Sequence, residues 1–244
     1  GEMISIVIPT LNEELYLPKV LSSIKKQRIK NLEIIVADAN SKDGTVIIAK
    51  SFGCKVVQGG MPGRGRNEGA KIAKGEILIF LDADAILPPK FLERFLREFE
   101  RKRLDLAGCS MKIHGKKKIY RLFEKLYTLY FKSTEKFYPH ATNCIVVKKW
   151  LHEAIGGFDE TIKLGEDFAY IQTAAKKGKF GFLAGHSFSV SPRRAENDMK
   201  KIIVQYLLAE IYMILVGPIR SDIFKYRFDH LSKIRDSQSS DAKS

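Results

Sequence analysis

Cysteine is scarce: Cys54, Cys109 and Cys144 are the three in 244 residues. They show neither the pairing of a disulfide framework nor the close spacing of zinc ligands, so reduced, mostly buried thiols of a cytoplasmic protein are expected. No basic-then-apolar leader precedes the first apolar run at Ile4, which argues against export. Long uncharged apolar runs are missing too. The best candidate, 202–216, is broken by Gln205 and Glu210 and closed by Gly217-Pro218, and a run below about 18 residues with a central glutamate argues against a spanning helix. There is no internal repeat and no low-complexity linker. No helix-turn-helix, zinc or RNA-reading signature stands beside the basic residues, so nucleic acid is not an expected partner.

What is present is an apolar fraction of 45% and a formal charge of +14. The first is enough for one large domain or one domain with an appendage. The second points to anionic partners such as nucleotides or acidic lipid headgroups, although a Lys-, Arg- and Glu-rich surface is also a feature of heat-stable proteins.

Along the first hundred residues, short β-rich apolar runs alternate with helical patterns, the signature of an α/β domain with a mostly parallel sheet. Strands are predicted at 4–8, 33–37, 55–58 and 76–81, with helices at 15–27, 45–51, 66–73 and from Pro88-Pro89 to about 103. Beyond Leu104 the alternation weakens: strands at 104–113 and 143–147, helices at 116–137, 150–155 and 167–177, and a strand at 180–183. The division this suggests is a ligand-binding half at 3–103, a second half at 104–195, a helical appendage at 196–235 and a disordered tail at 236–244.

Open parallel sheets bind ligands beyond the carboxyl ends of their strands, and every candidate motif of the first half falls there. The run ILIFLDAD ends in Asp82 and Asp84, and residues two apart on an extended chain point the same way. Two such carboxylates suit Mg²⁺ or Mn²⁺, which take oxygen ligands and complete their shells with phosphates. Asp38, at the end of the second strand, can accept hydrogen bonds from a nucleobase edge, whereas Asp43 caps the next helix. The stretch Gly63-Arg64-Gly65-Arg66-Asn67-Glu68-Gly69 has the wrong spacing for a dinucleotide fingerprint and lacks the lysine and hydroxyl of a phosphate loop. It reads as a flexible loop opening a helix, with Arg64 or Arg66 reaching a diphosphate or the aspartates; a mobile solvated loop fits equally well. In Ser191-Pro192-Arg193-Arg194 the arginine pair could clamp a diphosphate. The paired glycines of Gly156-Gly157-Phe158-Asp159-Glu160 permit close backbone approaches, so Gly157 and Asp159 could shape a pocket or merely form a turn.

The ordered set VIPTLNEE (7–14), VADANSKDGT (36–45), GRGRNEGA (63–70), FLDAD (80–84), GGFDE (156–160) and GED (165–167) resembles the inverting family 2 glycosyltransferases of the GT-A fold, over about 3–195. The resemblance implies a nucleotide-diphospho-sugar donor, UDP- or GDP-linked, with Mn²⁺ or Mg²⁺ on Asp82 and Asp84 and base contacts from Pro9, Thr10, Glu13 and Asp38. It also implies Asp167 as the base for the acceptor hydroxyl and offers His186 as an extra metal ligand, against a plain surface imidazole. One departure is Asp38-Ala39-Asn40-Ser41, where the family's usual second aspartate is absent. The Gln-x-x-Arg-Trp motif of the processive branch is also absent, which favours single transfer. Adjacent helical side chains diverge by about 100°, so one of Glu166 and Asp167 should face the pocket while the other serves the helix amino end.

Two segments bear on the acceptor. In the helix from Lys116, Ile119, Leu122, Phe123, Leu126, Leu129 and Tyr130 fall at helical spacing amid lysines, a pattern of membrane surfaces and equally of a helix packed on a sheet. The run 202–216 reads as interfacial or as a contact between copies, with Arg220, Lys225 and Arg227 near lipid headgroups. A lipid-linked acceptor and peripheral placement on the cytoplasmic membrane face follow. The competing classes are a nucleotidyltransferase acting on a sugar phosphate and a non-enzymatic basic binding module.

Overall fold

A computed structural model describes residues 2–191 and 208–220. Arg193 and Arg194, the start of the apolar run, Lys225, Arg227 and the polar tail lie outside the described residues.

In chain order the elements are β1 (Ile4–Thr10), α1 (Leu17–Lys25), β2 (Leu32–Asp38), α2 (Thr45–Ser51), β3 (Lys55–Gln58), α3 (Pro62–Ile72), β4 (Ile77–Leu81), β5 (Ala85–Ile86), α4 (Phe91–Arg101), β6 (Leu106–Ile113), α5 (Lys118–Thr134), β7 (Cys144–Lys148), α6 (Lys149–Ala154), α7 (Glu166–Ala174) and β8 (Phe180–Val190). Residues 208–215 form a further helix.

Eight strands make one sheet in the order β3-β2-β1-β4-β7-β6-β8-β5. β1, β2, β3 and β4 are parallel, β7 runs against β4 and β6, and β8 is parallel to β6. β1 is buried along its whole length, as expected of a central parallel strand covered on both faces. Its alternate residues serve two cores: Ile4, Ile6 and Ile8 pack on the α1 and α4 side, and Val7 packs with Leu78, Phe80 and Tyr170 on the other. The two expected halves are therefore one continuous sheet, joined by the five-residue register of β4 with β7.

Three expectations are corrected. The glycine-rich stretch is not a loop but lies within α3, which starts at Pro62, a residue suited to the first helical turn. Its glycines serve contact, since a Cβ on Gly69 would lie 2.3 Å from Val7 Cγ1 and one on Gly65 3.1 Å from Pro9 Cβ. Asp82 and Asp84 do not prolong β4; they occupy a turn closed by the Ala85 N–H to the Asp82 carbonyl at 3.0 Å, so strand alternation does not set their directions. β8 continues past Leu183 to Val190, which places His186 inside a strand.

The chain from 208 to 220 packs on the second half. The Tyr130 hydroxyl donates to Glu210 at 2.7 Å, Leu164 bridges to Ile219, and a Cβ on Gly165 would lie 2.2 Å from Met213 Sδ.

Candidate active site

The parallel register sets Thr10 beside Asp38, and the Thr10 hydroxyl donates to Asp38 Oδ1 at 2.8 Å. Ser41 adds two bonds to the same carboxylate, from its N–H at 2.8 Å and its hydroxyl at 2.6 Å. A carboxylate offers about four acceptor positions, so Asp38 retains one for a ligand while shaping its loop. Thr10 has no exposed surface and Pro9 is buried, so both side chains support the strand end from behind. Glu13 is buried as well, at 3% exposure.

The loops after β1 and β2 are stitched together by bonds the sequence did not disclose. Asn12 Oδ1 accepts the Lys42 N–H at 2.8 Å, the Asn12 N–H donates to Ser41 Oγ at 2.8 Å, and Glu14 Oε2 accepts the Gly44 N–H at 2.7 Å. Asp43 accepts the Thr45 N–H at 3.0 Å, the structural role expected of it.

Arg66 is the hub. It is 4% exposed, donates to Glu166 Oε1 at 2.7 Å and Asp82 Oδ1 at 3.1 Å, and lies over the Phe158 ring at 5.2 Å. Arg64, two residues away on α3, is exposed. Burial by itself would lower the Arg66 pKa; the charges of Glu166, Asp82 and Asp167 outweigh it and raise it, so the guanidinium stays charged. Asn143, held at a positive φ of 59°, donates its amide to Asp82 Oδ2 at 2.8 Å.

Glu166 and Asp167 open α7 behind Gly165, whose φ of 82° suits glycine. Glu166 is committed to Arg66. Asp167 Oδ1 accepts the Phe168 N–H at 2.8 Å, and its pKa is pushed up to about 7, first by burial and then by the charge of Glu166, against the opposing pull of Arg66. A carboxyl that titrates near neutrality beside a strand-end cluster is suited to proton transfer.

Asn67 fixes the facing loop. Its amide nitrogen donates to the Phe158 carbonyl and to Glu160 Oε1, both at 2.9 Å, and its oxygen accepts the Phe158 N–H at 2.8 Å. A Cβ on Gly157 would lie 2.5 Å from Asn67 Oδ1, so Gly157 permits this clamp. Phe158 stacks on Tyr170 at 3.9 Å. Asp159 serves as a tie: it accepts from Thr161 Oγ1 at 2.6 Å and from Arg220 at 2.8 Å. His186 bonds Glu98 at 2.7 Å and packs edge-on against Phe91 and Phe95, in place of joining the aspartates. Sequence reasoning missed Asn67 and Asn143. The available signals were an asparagine adjacent to the inward arginine and one directly ahead of an apolar strand.

Asp82 and Asp84 fit a hard divalent cation: both are oxygen donors on one turn, and Arg66 and Asn143 hold Asp82 in place. Among the described residues no three His, Cys, Asp or Glu side chains gather to hold a metal by themselves, so phosphate oxygens would have to complete the shell.

A mixed eight-stranded sheet flanked by helices, parallel through β1 to β4, matches the fold of the GT-A glycosyltransferases. The chain belongs to Glycosyl transferase family 2, matched over residues 5–156. It is 28% identical over 188 residues to an uncharacterized glycosyltransferase of Rickettsia typhi, covering 68% of this chain and 56% of that protein. It is 29% identical over 196 residues to the minor teichoic acid biosynthesis protein GgaB of Bacillus subtilis, covering 73% of this chain and 22% of that protein. The chain thus spans about half or less of these relatives. In fold it is similar to the mannosyltransferase PcManGT from Pyrobaculum calidifontis in complex with GDP-Man and Mn²⁺, with TM-score 0.72 and 17% identity over 98% of this chain and 69% of that one. It is also similar to S. aureus TarS 1-349 in complex with UDP-GlcNAc, with TM-score 0.63 and 22% identity over 78% of this chain and 58% of that one.

Proposed function

We propose that the protein transfers a sugar from a nucleoside diphosphate donor, UDP- or GDP-linked, to an acceptor hydroxyl by a single inverting displacement that depends on a divalent cation. The observation that carries this reading is the Asp82–Arg66–Glu166 chain of ion pairs, which joins the turn after β4 to the start of α7, where burial raises the pKa of the adjacent Asp167. Asp167 takes the proton of the acceptor hydroxyl as its oxygen bonds to the anomeric carbon and the bond to the diphosphate oxygen breaks. Arg66 keeps the Asp82 and Glu166 charges compensated through that step, and Asp38 fixes the loop against which the base rests. A Mg²⁺ or Mn²⁺ ion on Asp82 and Asp84 would neutralise charge developing on the leaving diphosphate. In the test, purified protein is given UDP- and GDP-sugars with Mn²⁺. Release of nucleoside diphosphate, abolished by chelation and by Asp84→Asn, is expected; release of pyrophosphate from a nucleoside triphosphate would refute it.

The acceptor in this reading is lipid-linked. α5 buries Tyr120, Tyr127 and Phe131 against the sheet, whereas Leu122, Leu126 and Leu129 are 53%, 56% and 67% exposed. Leu208, Ile211 and Leu215 of the adjoining helix are exposed as well. Lys118, Lys125 and Lys132, seven apart and exposed, follow one border of the α5 stripe, as in helices that lie on anionic bilayers. Among the described residues no helix is long and apolar enough to cross a membrane.

A further inference from the structure

A second charged site lies at the opposite end of the sheet. Around the amino ends of β6 and β8, where α4, α5 and α7 terminate, lies an open cavity of about 860 Å³. Glu166 and Asp167 begin α7, and Lys176, just past its far end, lines this cavity. Seven lining residues are lysine or arginine and one, Glu135, is acidic.

Part of that charge has a local explanation. A helix carboxyl end carries about half a negative charge, so three ends and Glu135 offset only about two to three of the cations. Lys102 pairs with Glu98 at 2.7 Å and Lys132 with Glu135 at 2.6 Å, while nearby Asp105 is paired with Lys148 at 3.4 Å. Among the described residues no carboxylate pairs with Arg103, Lys136, Lys176 or Lys179. Lys179 is pinned, since its Nζ donates to the Lys102 carbonyl at 2.8 Å.

Arg103 adds an independent sign. The Leu104 N–H reaches the Phe99 carbonyl at 3.0 Å and the Arg103 N–H the Glu100 carbonyl at 2.8 Å, the bond pattern of a helix end that places one residue in the left-handed region. Arg103 occupies that position, with φ at 52°. Glycine is the relaxed residue there, so the arginine is kept at a cost in backbone strain.

We propose that this cavity binds an anion carrying two or more phosphate groups, apart from the Asp82, Asp84 and Asp167 site. Its volume is that of a small-molecule site, and an arginine among unpaired lysines suits phosphate oxygens, which accept paired N–H bonds. A soluble phosphorylated compound and a bilayer headgroup share this chemistry.

Titration calorimetry of the full chain with tripolyphosphate in EDTA tests the proposal. Lys136→Glu combined with Lys176→Glu should weaken binding about ten-fold or more, and Asp84→Asn should not. Arg103→Gly should weaken binding several-fold while leaving Tm unchanged or raised, a combination that a structural role for Arg103 would not produce. Undiminished affinity in both cavity variants, or a loss in Asp84→Asn equal to theirs, overturns the proposal. Flotation with phosphatidylglycerol–phosphatidylcholine vesicles separates the sources: vesicle binding lost with tripolyphosphate binding assigns a headgroup, and vesicle binding retained assigns a soluble ligand.

Discussion

Asp167→Asn should make the protein more stable and nearly inactive, with the stability gain confined to high pH. The Asp167 pKa stands at about 7 against an ordinary 3.8, so the folded protein holds this proton more tightly than the unfolded chain. Folding stability from this carboxyl is therefore complete below about pH 4, falls as pH rises toward 7, and stays lost above. Three units correspond to at most about 4 kcal/mol. Asparagine mimics the neutral acid in shape and cannot ionise, so the variant escapes that loss. For a chain of this size about 4 kcal/mol is worth roughly 8–16 °C in Tm, an upper bound because water reaches part of the site. Thermal unfolding of both proteins at pH 4.5 and 8.5 should give Tm values within about 4 °C at the lower pH and a clearly higher Tm for the variant at the higher one. Turnover, read as nucleoside diphosphate release, should fall by about 10²–10⁴ through loss of the base, and the wild-type rate should decline below about pH 7 as the base protonates. A pH-independent Tm difference would show that Asp167 is not the strained carboxyl, and turnover within about ten-fold of wild type would show that it is not the base.

Arg66→Met should destabilise the protein by about 3–5 kcal/mol, because it leaves Asp82 and Glu166 charged and uncompensated in a buried site; denaturant unfolding at pH 7.5 measures this. Arg66→Lys should recover little, since one ammonium cannot span both carboxylates as the guanidinium fork does. Gly69→Ala should cost about 1–3 kcal/mol by driving a methyl into Val7 across the α3–β1 contact, and an unchanged denaturation midpoint would show that α3 can shift. Leu126→Glu with Leu129→Glu should weaken binding to anionic vesicles without changing Tm, because both side chains are exposed; a large fall in Tm would mean that the stripe is packed.

The parallel half of the sheet was legible because its strands are short apolar runs ending in polar loops, and β1 to β4 stand close to where the pattern put them. β5 was not legible: two residues carry no periodicity, and Ala85–Ile86 is a strand only because β8 extends to meet it. The glycines of α3 were misread because glycine has two uses. Conformational freedom suggests a loop, whereas the missing side chain admits close contact, and only Val7 and Pro9 across the interface decide between them. The α5 stripe mixed two faces, since Phe123 and Tyr130 are partly covered while Leu122, Leu126 and Leu129 are open.

The sequence alone determined the family and the residue types at the strand ends, because motif order and strand chemistry are properties of the chain itself. It also supplied two carboxylates at Asp82 and Asp84, an acid pair at Glu166 and Asp167, and two arginines on α3. Which of these meet was decided in three dimensions. Arg66 faces inward and Arg64 outward because they stand two residues apart on a helix, and Arg66 reaches a glutamate 100 positions away. Asn143 meets Asp82 across 61 positions because β7 runs against β4. The raised Asp167 pKa likewise comes from burial and from charges brought together by folding, which local sequence does not encode.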